Sequence, residues 1–250
     1  MEIKVVIPSH KRHDHVLTHK CIANAKICVP KSQAALYKEY NPDAELVIHP
    51  DSLKGLGRKR IWIYKKFGDV FLPDDDVSAF RRLWVAPESF TPHKLSPKDA
   101  YDLVQSTGNA AKEMGCHLFG FNPTPDNRIY SPLRPFRLSG FVRGSTIGLL
   151  KGWEVDVPPE ADLAEDFFFS AMNAHDNRFC FVDLRVGLTF NLTWQNPGGL
   201  AEYRTFENER AATQLLKEYF GDVVTHRPDK TKGLKQGVSA DWHRIMAVPF

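Results

Sequence analysis

Phe71-Leu72-Pro73-Asp74-Asp75-Asp76 is a short apolar run that stops at three consecutive carboxylates. Adjacent acids repel one another, so a fold tolerates them in solvent or around a cation that offsets the repulsion. Val70, Phe71 and Leu72 read as the end of a buried strand. That places the acids at its carboxyl end, where open α/β sheets hold their ligands. Asp74 and Asp76 then have the Asp-x-Asp spacing that suits a hard divalent ion, which in turn grips the phosphates of a nucleotide. A solvated acidic turn is the plain alternative, and the flanking sequence decides between them.

Upstream, strand alternates with helix four times. Ile3 to Ile7 is a β-branched strand ending at Pro8-Ser9 and followed by basic His10-Lys11-Arg12-His13. Val16, Leu17, Cys21 and Ala25 give Asp14 to Ala25 helical spacing, and Ile27-Cys28-Val29 is a second strand. A short helix over Lys31 to Tyr40 and a third strand at Leu46-Val47-Ile48 follow. The Gly55-Leu56-Gly57 loop opens a basic helix over Arg58 to Phe67. The alternation predicts an α/β fold, a single Rossmann-like domain with a mostly parallel central sheet flanked by helices.

Downstream, Ser96-Pro97 with Asp99 starts a helix, and His117 to Phe121 is a strand. The proline-rich stretch from Asn122 to Arg137 carries Arg128, Tyr130, Arg134 and Arg137 and is read as a long loop. Phe141-Val142-Arg143 continues as a strand, and Gly144 to Gly148 as a close-approach loop. A helix is expected over Ala161 to His175, strands around Phe179 to Val182 and Val186 to Leu192, and a helix from Glu207 to Phe220. The expected division is a nucleotide-binding half over 1–80, an acceptor-binding half over 81–225 and a tail over 226–250, all in one domain.

Composition excludes several classes. The 250 residues are 42% apolar, enough for a sizeable core, and no apolar run approaches the length of a membrane span. No signal-peptide pattern opens the chain, so a cytoplasmic protein without membrane attachment is expected. Cys21, Cys28, Cys116 and Cys180 are scattered, without the paired spacing of zinc or redox sites. A net charge of +3 permits an anionic partner. Nothing implies a protein partner.

A second acidic pair, Glu165-Asp166, precedes Phe167-Phe168-Phe169 near a helix start, where the dipole favours carboxylates in any protein. Together with the aspartate cluster the pair suits sugar transfer. That reaction needs a cation to neutralise a leaving diphosphate, from Asp74 to Asp76, and a base for an attacking hydroxyl, from Glu165 or Asp166. Arg58, Lys59 and Arg60 stand at a helix N-terminus that already attracts anions, so Arg58 and Arg60 are candidates for the donor phosphates. His226, after Val223-Val224-Thr225, is a candidate third metal ligand, with His243 as its competitor.

Val5 to Arg12, the Gly55 to Ile61 loop, Asp74-Asp75-Asp76 and Glu165-Asp166 resemble, in order and spacing, the GT-A fold glycosyltransferases. The resemblance implies that Pro8, Ser9 and Arg12 line a uridine site, that Asp74 or Asp75 meets the ribose and that Asp76 holds Mn2+ or Mg2+ on the diphosphate of a UDP-sugar such as UDP-glucose. Asp166, with Glu165 beside it, would be the base of an inverting enzyme. Arg58-Lys59-Arg60-Ile61 stands where members of that family often have Arg-Asn. The compact length, the Pro8 to Arg12 start, Phe119-Gly120-Phe121-Asn122 and the Arg/Pro loop are similar to the TET-associated glycosyltransferases of bacteriophages. That likeness implies a 5-hydroxymethylcytosine or other hydroxymethylpyrimidine acceptor in DNA, and the host cytoplasm as location. A base so modified would leave the duplex to reach the site. Arg128, Arg134 and Arg137 would hold the acceptor phosphates, with Tyr130, Trp84, Trp153 or Trp194 as stacking partners. The competing readings are transfer to a glycan, lipid, protein or small molecule, a catalytically silent nucleotide- or DNA-binding module, and a metal-dependent nuclease or phosphatase.

Overall fold

A computed structural model describes residues 2–84, 92–122, 124–190, 199, 204–226 and 244–247. The first half follows the expected alternation except between its first two strands: β1 (Lys4–Pro8), β2 (Lys26–Pro30), α1 (Ala34–Tyr40), β3 (Glu45–His49), α2 (Leu56–Phe67) and β4 (Val70–Pro73). β1 pairs in parallel with β2 on one side and β4 on the other, and β2 pairs in parallel with β3. Period-two alternation divides the core between the two faces of the sheet. Val5, Phe71, Phe119 and Phe121 face α3 (Pro97–Glu113), whereas Val6, Leu72 and Leu118 face α2, α4 (Glu165–Asp176) and α5 (Phe206–Phe220).

The sheet continues through β5 (Val77–Arg82), β6 (His93–Lys94), β7 (Leu118–Asn122), β8 (Phe136–Arg137), β9 (Thr146–Leu149) and β10 (Phe181–Phe190). Its order is β3-β2-β1-β4-β9-β7-β10-β5-β6, with β8 added on β10. β7 and β10 run with the first four strands, and β9 is inserted antiparallel between β4 and β7. A small hairpin of β11 (Val224–His226) and β12 (Arg244–Met246) brings part of the expected tail back onto the domain. Among the described residues no helix is long and apolar enough to cross a membrane.

Three local expectations fail for physical reasons. Residues 14–25 form only a single 3-10 turn, Thr18–Lys20. The main-chain N–H groups of Leu17 and Thr18 donate to the Asp75 carbonyl at 2.8 and 3.3 Å, and the Thr18 hydroxyl donates to the Asp74 carbonyl at 2.6 Å. These bonds pin the segment to the aspartate turn. Further on, the strand expected at Phe141 to Arg143 is irregular, and the expected glycine loop supplies β9. Gly148 tolerates a strand there because a Cβ would lie 2.1 Å from the Phe119 ring, so the two strands approach without a side chain between them. Finally, the two strands expected on either side of Asp183 are one, β10, with an irregularity between Asp183 and Gly187. Asp183 is fully buried and paired with Arg185 at 2.7 Å, a polar break that the sequence shows as a gap.

Candidate active site

Chain order reverses at β1, with β2 and β3 laid to one side and β4 to the other. Parallel sheets leave a crevice at such a switch point, outside the carboxyl ends of the strands. A cleft of about 1270 Å³ opens there, lined by Pro8, Ser9 and Arg12 after β1, Asp74 to Asp76 after β4, and Glu165 and Asp166 at the start of α4.

The three aspartates have three different environments. Asp75 is fully engaged: Ser9 Oγ donates to Oδ2 at 2.5 Å and Arg12 Nη1 to Oδ1 at 2.9 Å. Asp74 keeps about a third of its side chain open to the cleft and pairs with Arg60 Nη2 at 2.8 Å. Asp76 is 3% exposed, and its Oδ1 has no partner among the described residues. Burial, reinforced by the charges of Asp74 and Asp75, pushes its carboxyl up to about 7. A buried carboxylate oxygen without a donor is costly, and a hard cation between Asp74 and Asp76 supplies what is missing. The donor set therefore fits a divalent ion held by those two acids. Among the described residues no group of three or more His, Cys, Asp or Glu is gathered for a metal, so an ion held by these two acids would need further ligands from water or substrate.

Arg60 joins the two acidic clusters. Its side chain is completely buried, with Nη2 on Asp74 and Nη1 on Glu165 Oε1 at 2.5 Å. The expectation that Arg60 faces the donor phosphates is thus corrected, because both arms of the guanidinium are taken by carboxylates beneath the cleft. Glu165 is 5% exposed, and burial pushes its carboxyl above the usual range while Arg60 opposes that and Asp166 and Asp74 add to it. Asp166 is more open. Gly144 N–H donates to its Oδ2 at 3.1 Å and its neighbour Phe167 N–H to Oδ1 at 2.9 Å, which fixes the carboxylate toward the cleft.

The N-terminus of α2 differs from expectation as well. The anion at that helix end is a side chain of the protein itself, Asp162, whose Oδ1 accepts the Gly57 N–H at 3.1 Å. Gly55, at φ +88°, must be glycine, since a Cβ there would fall 1.7 Å from Asp162 Oδ2. Burial pushes Asp162 up to about 6 against the Gly57 N–H and the charge of Arg58. Arg58 does line the cleft, and its buried Nε has no partner among the described residues.

The expected acceptor residues lie outside the cleft lining. Arg128 is 86% exposed and paired with Asp126 at 2.7 Å, and Arg137 donates to the Phe141 carbonyl from a partly buried position. Arg134 and Tyr130 stand on the loop between β7 and β8. Trp153 is core, donating Nε1 to Asp176 at 3.0 Å, and Trp84 is exposed. The main chain of His226 pairs with Arg244 in the small hairpin, its side chain is not among those described, and Trp194 and His243 lie outside the described residues.

Several residues that line or support the cleft were missed, the fully buried Tyr37 supporting it from outside its lining. Tyr37 bonds Ser9 Oγ at 2.7 Å and accepts from Arg12 N–H at 3.0 Å, yet in sequence it reads as an ordinary helix-face aromatic. Arg244 reaches the cleft from β12, its guanidinium bonded to buried Glu209 at 3.1 Å and to Thr213 at 2.8 Å, 5.5 Å from the Phe167 ring. Lys59 was read only as part of a basic run, and Arg143 only as part of a strand. The sole sequence signal for Asp162 is its proximity to Glu165.

An α/β sheet with paired acidic clusters across a switch-point cleft is the architecture of a Rossmann-like glycosyltransferase domain. A family model described as TET-Associated Glycosyltransferase matches residues 3–132, just over half of the chain, which therefore belongs to that glycosyltransferase family. No curated protein matches the chain.

Proposed function

We propose that the cleft binds a UDP-sugar with Mn2+ or Mg2+ and transfers the sugar to the hydroxyl of a hydroxymethylated pyrimidine in DNA. The unpartnered, buried Oδ1 of Asp76 beside Asp74 carries the donor half of this reading. Asp74 and Asp76 would hold a divalent cation, which would supply positive charge against the diphosphate that leaves. Ser9 and Arg12 lock Asp75 and hold the β1 loop over the nucleoside side of the cleft. Arg58 has a donor atom in reserve for phosphate oxygens.

In an inverting transfer the acceptor oxygen attacks the anomeric carbon, the carbon–oxygen bond to the diphosphate breaks, and the hydroxyl proton passes to Asp166. Asp166 is assigned this role over Glu165 because it is the more open of the two, whereas Glu165 is buried against Arg60 and acts by positioning α4. The likeness to the TET-associated glycosyltransferases, which implies such an acceptor, together with the family match, supports this reading.

The test is nucleoside mass spectrometry of 5-hydroxymethylcytosine DNA after incubation with the protein, Mn2+ and a panel of UDP-sugars, with unmodified DNA alongside. A hexose-sized gain on the modified base alone is the expected result. UDP release without that gain overturns the DNA acceptor and leaves a glycan, protein or small molecule in its place. No UDP release with any UDP-sugar overturns the donor.

A further inference from the structure

Lys59 lines the cleft with only 6% of its surface open. An ammonium carries three donors. One of them goes to the Ser9 carbonyl at 2.8 Å, and among the described residues no carboxylate is bonded to it. Such a group is costly where nothing but packing is at stake, since an apolar side chain of similar length fills the same space without desolvating a charge. Burial pushes the ammonium down to about 8, consistent with a cation short of acceptors.

Its place in the sheet indicates what the missing acceptor is. Ser9 follows β1 and donates its N–H to the Cys28 carbonyl of β2 at 3.0 Å, so Lys59 stands over the joined carboxyl ends of β1 and β2. The acids suited to a diphosphate lie on the opposite side of β1, after β4. From Ser9 the cleft runs away from those acids past Ser32 and Gln33, after β2, to Asp51, after β3. That arm gives a nucleotide whose diphosphate sits at Asp74 and Asp76 a place to lay its nucleoside.

We infer that Lys59 reads the nucleobase of the donor, donating a hydrogen bond to an exocyclic carbonyl, O4 of uracil. An ammonium has no acceptor to offer, so the amino group at C4 of cytosine finds no partner there. The inference rests on the nucleotide-sugar reading above and adds the group that selects the base.

The experiment is calorimetric binding of UDP, CDP, inorganic pyrophosphate and a UDP analogue lacking O4, in the presence of Mn2+, to the wild type and to Lys59→Met. The wild type is expected to bind UDP at least about tenfold more tightly than CDP or the analogue, the scale of one hydrogen bond to a charged group. Lys59→Met is expected to lose that preference and to bind pyrophosphate as the wild type does, which also shows that the variant is folded. An equal loss for UDP, CDP and pyrophosphate, or a UDP preference that survives the substitution, overturns the inference alone. Should the variant not fold, equal wild-type affinity for UDP and its analogue lacking O4 overturns it without the mutant. A wild type that binds pyrophosphate but no UDP overturns the donor reading, and the inference with it.

Discussion

The aspartate turn of the cleft and the Arg/Pro segment outside its lining are built in different ways. On the donor side, residues far apart in sequence are drawn to one turn: Ser9, Arg12, Thr18 and Arg60 all bond to Asp74 or Asp75. On the segment between β7 and β9, charged residues bond to near neighbours, Arg128 to Asp126 and Arg137 to Phe141. A network of long-range bonds holds a geometry before any ligand arrives, as a site that must place a diphosphate requires. Short-range bonds release their side chains at little cost.

The strongest way to break this contrast is at the acids. Asp76→Ala is expected to lower the turnover of UDP release by about a thousandfold, the scale of losing a charge-stabilising element. Wild-type turnover by that variant in metal-free buffer would remove Asp76 from the metal site. Asp166→Asn is expected to cost about 10²–10⁴ in turnover, as for a lost general base, with UDP affinity by calorimetry unchanged. A parallel loss of UDP affinity would move Asp166 to the donor side.

Next in size is Arg60→Met. Removing one guanidinium leaves Asp74 and Glu165 without their shared counter-charge, a loss of about 3–5 kcal/mol in urea unfolding if it behaves as a broken buried pair. A change under about 1 kcal/mol, as for an exposed pair, would show that the two clusters are independent.

Asp162 gives a smaller, pH-dependent effect. Its carboxyl is raised from the ordinary 3.8 to about 6, so the folded state holds the proton more tightly than the unfolded chain. The associated stability is complete below the unfolded value and is lost as pH rises through the folded one. Asp162→Asn, which keeps an oxygen for the Gly57 N–H, is therefore expected to melt higher than the wild type at pH 7.5. The gap should close as pH falls through the window between those two values, and a gap constant with pH would refute the assignment.

The smallest effect belongs to the other region. Arg134→Ala is expected to leave thermal stability within about 0.5 kcal/mol, as exposed substitutions do. If the DNA acceptor crosses this loop, the same change weakens DNA binding and lowers its salt dependence by about one phosphate contact. An unchanged salt slope would place the DNA elsewhere.

The same contrast explains what the sequence could show. β1 and β4 were legible because runs such as Val5-Val6-Ile7 and Val70-Phe71-Leu72 carry their burial in their composition. The acids were legible because carboxylates at a strand end are chemically conspicuous. Thr18 and Tyr37 were not, since a hydroxyl acquires its role only from a partner 56 or 28 residues away. The helical spacing of residues 14–25 was a true periodicity overruled by those same distant bonds. Arg60 reads in sequence as a candidate for the donor phosphates, but its partner Glu165 lies 105 residues further on, and that distance is invisible to any local pattern.

That separation also limits how far the domain can be recombined. Arg60 leaves α2 fully buried and holds one acid from each side of the cleft, so residues 1–80 contain only one of its two carboxylate partners. A chimera joining residues 1–80 to a different remainder would have to bring a carboxylate to the Glu165 position. Without it, the graft would bury a half-matched guanidinium under its own active site. The two parts of the chain are thus tied at one buried side chain that lies outside the cleft lining.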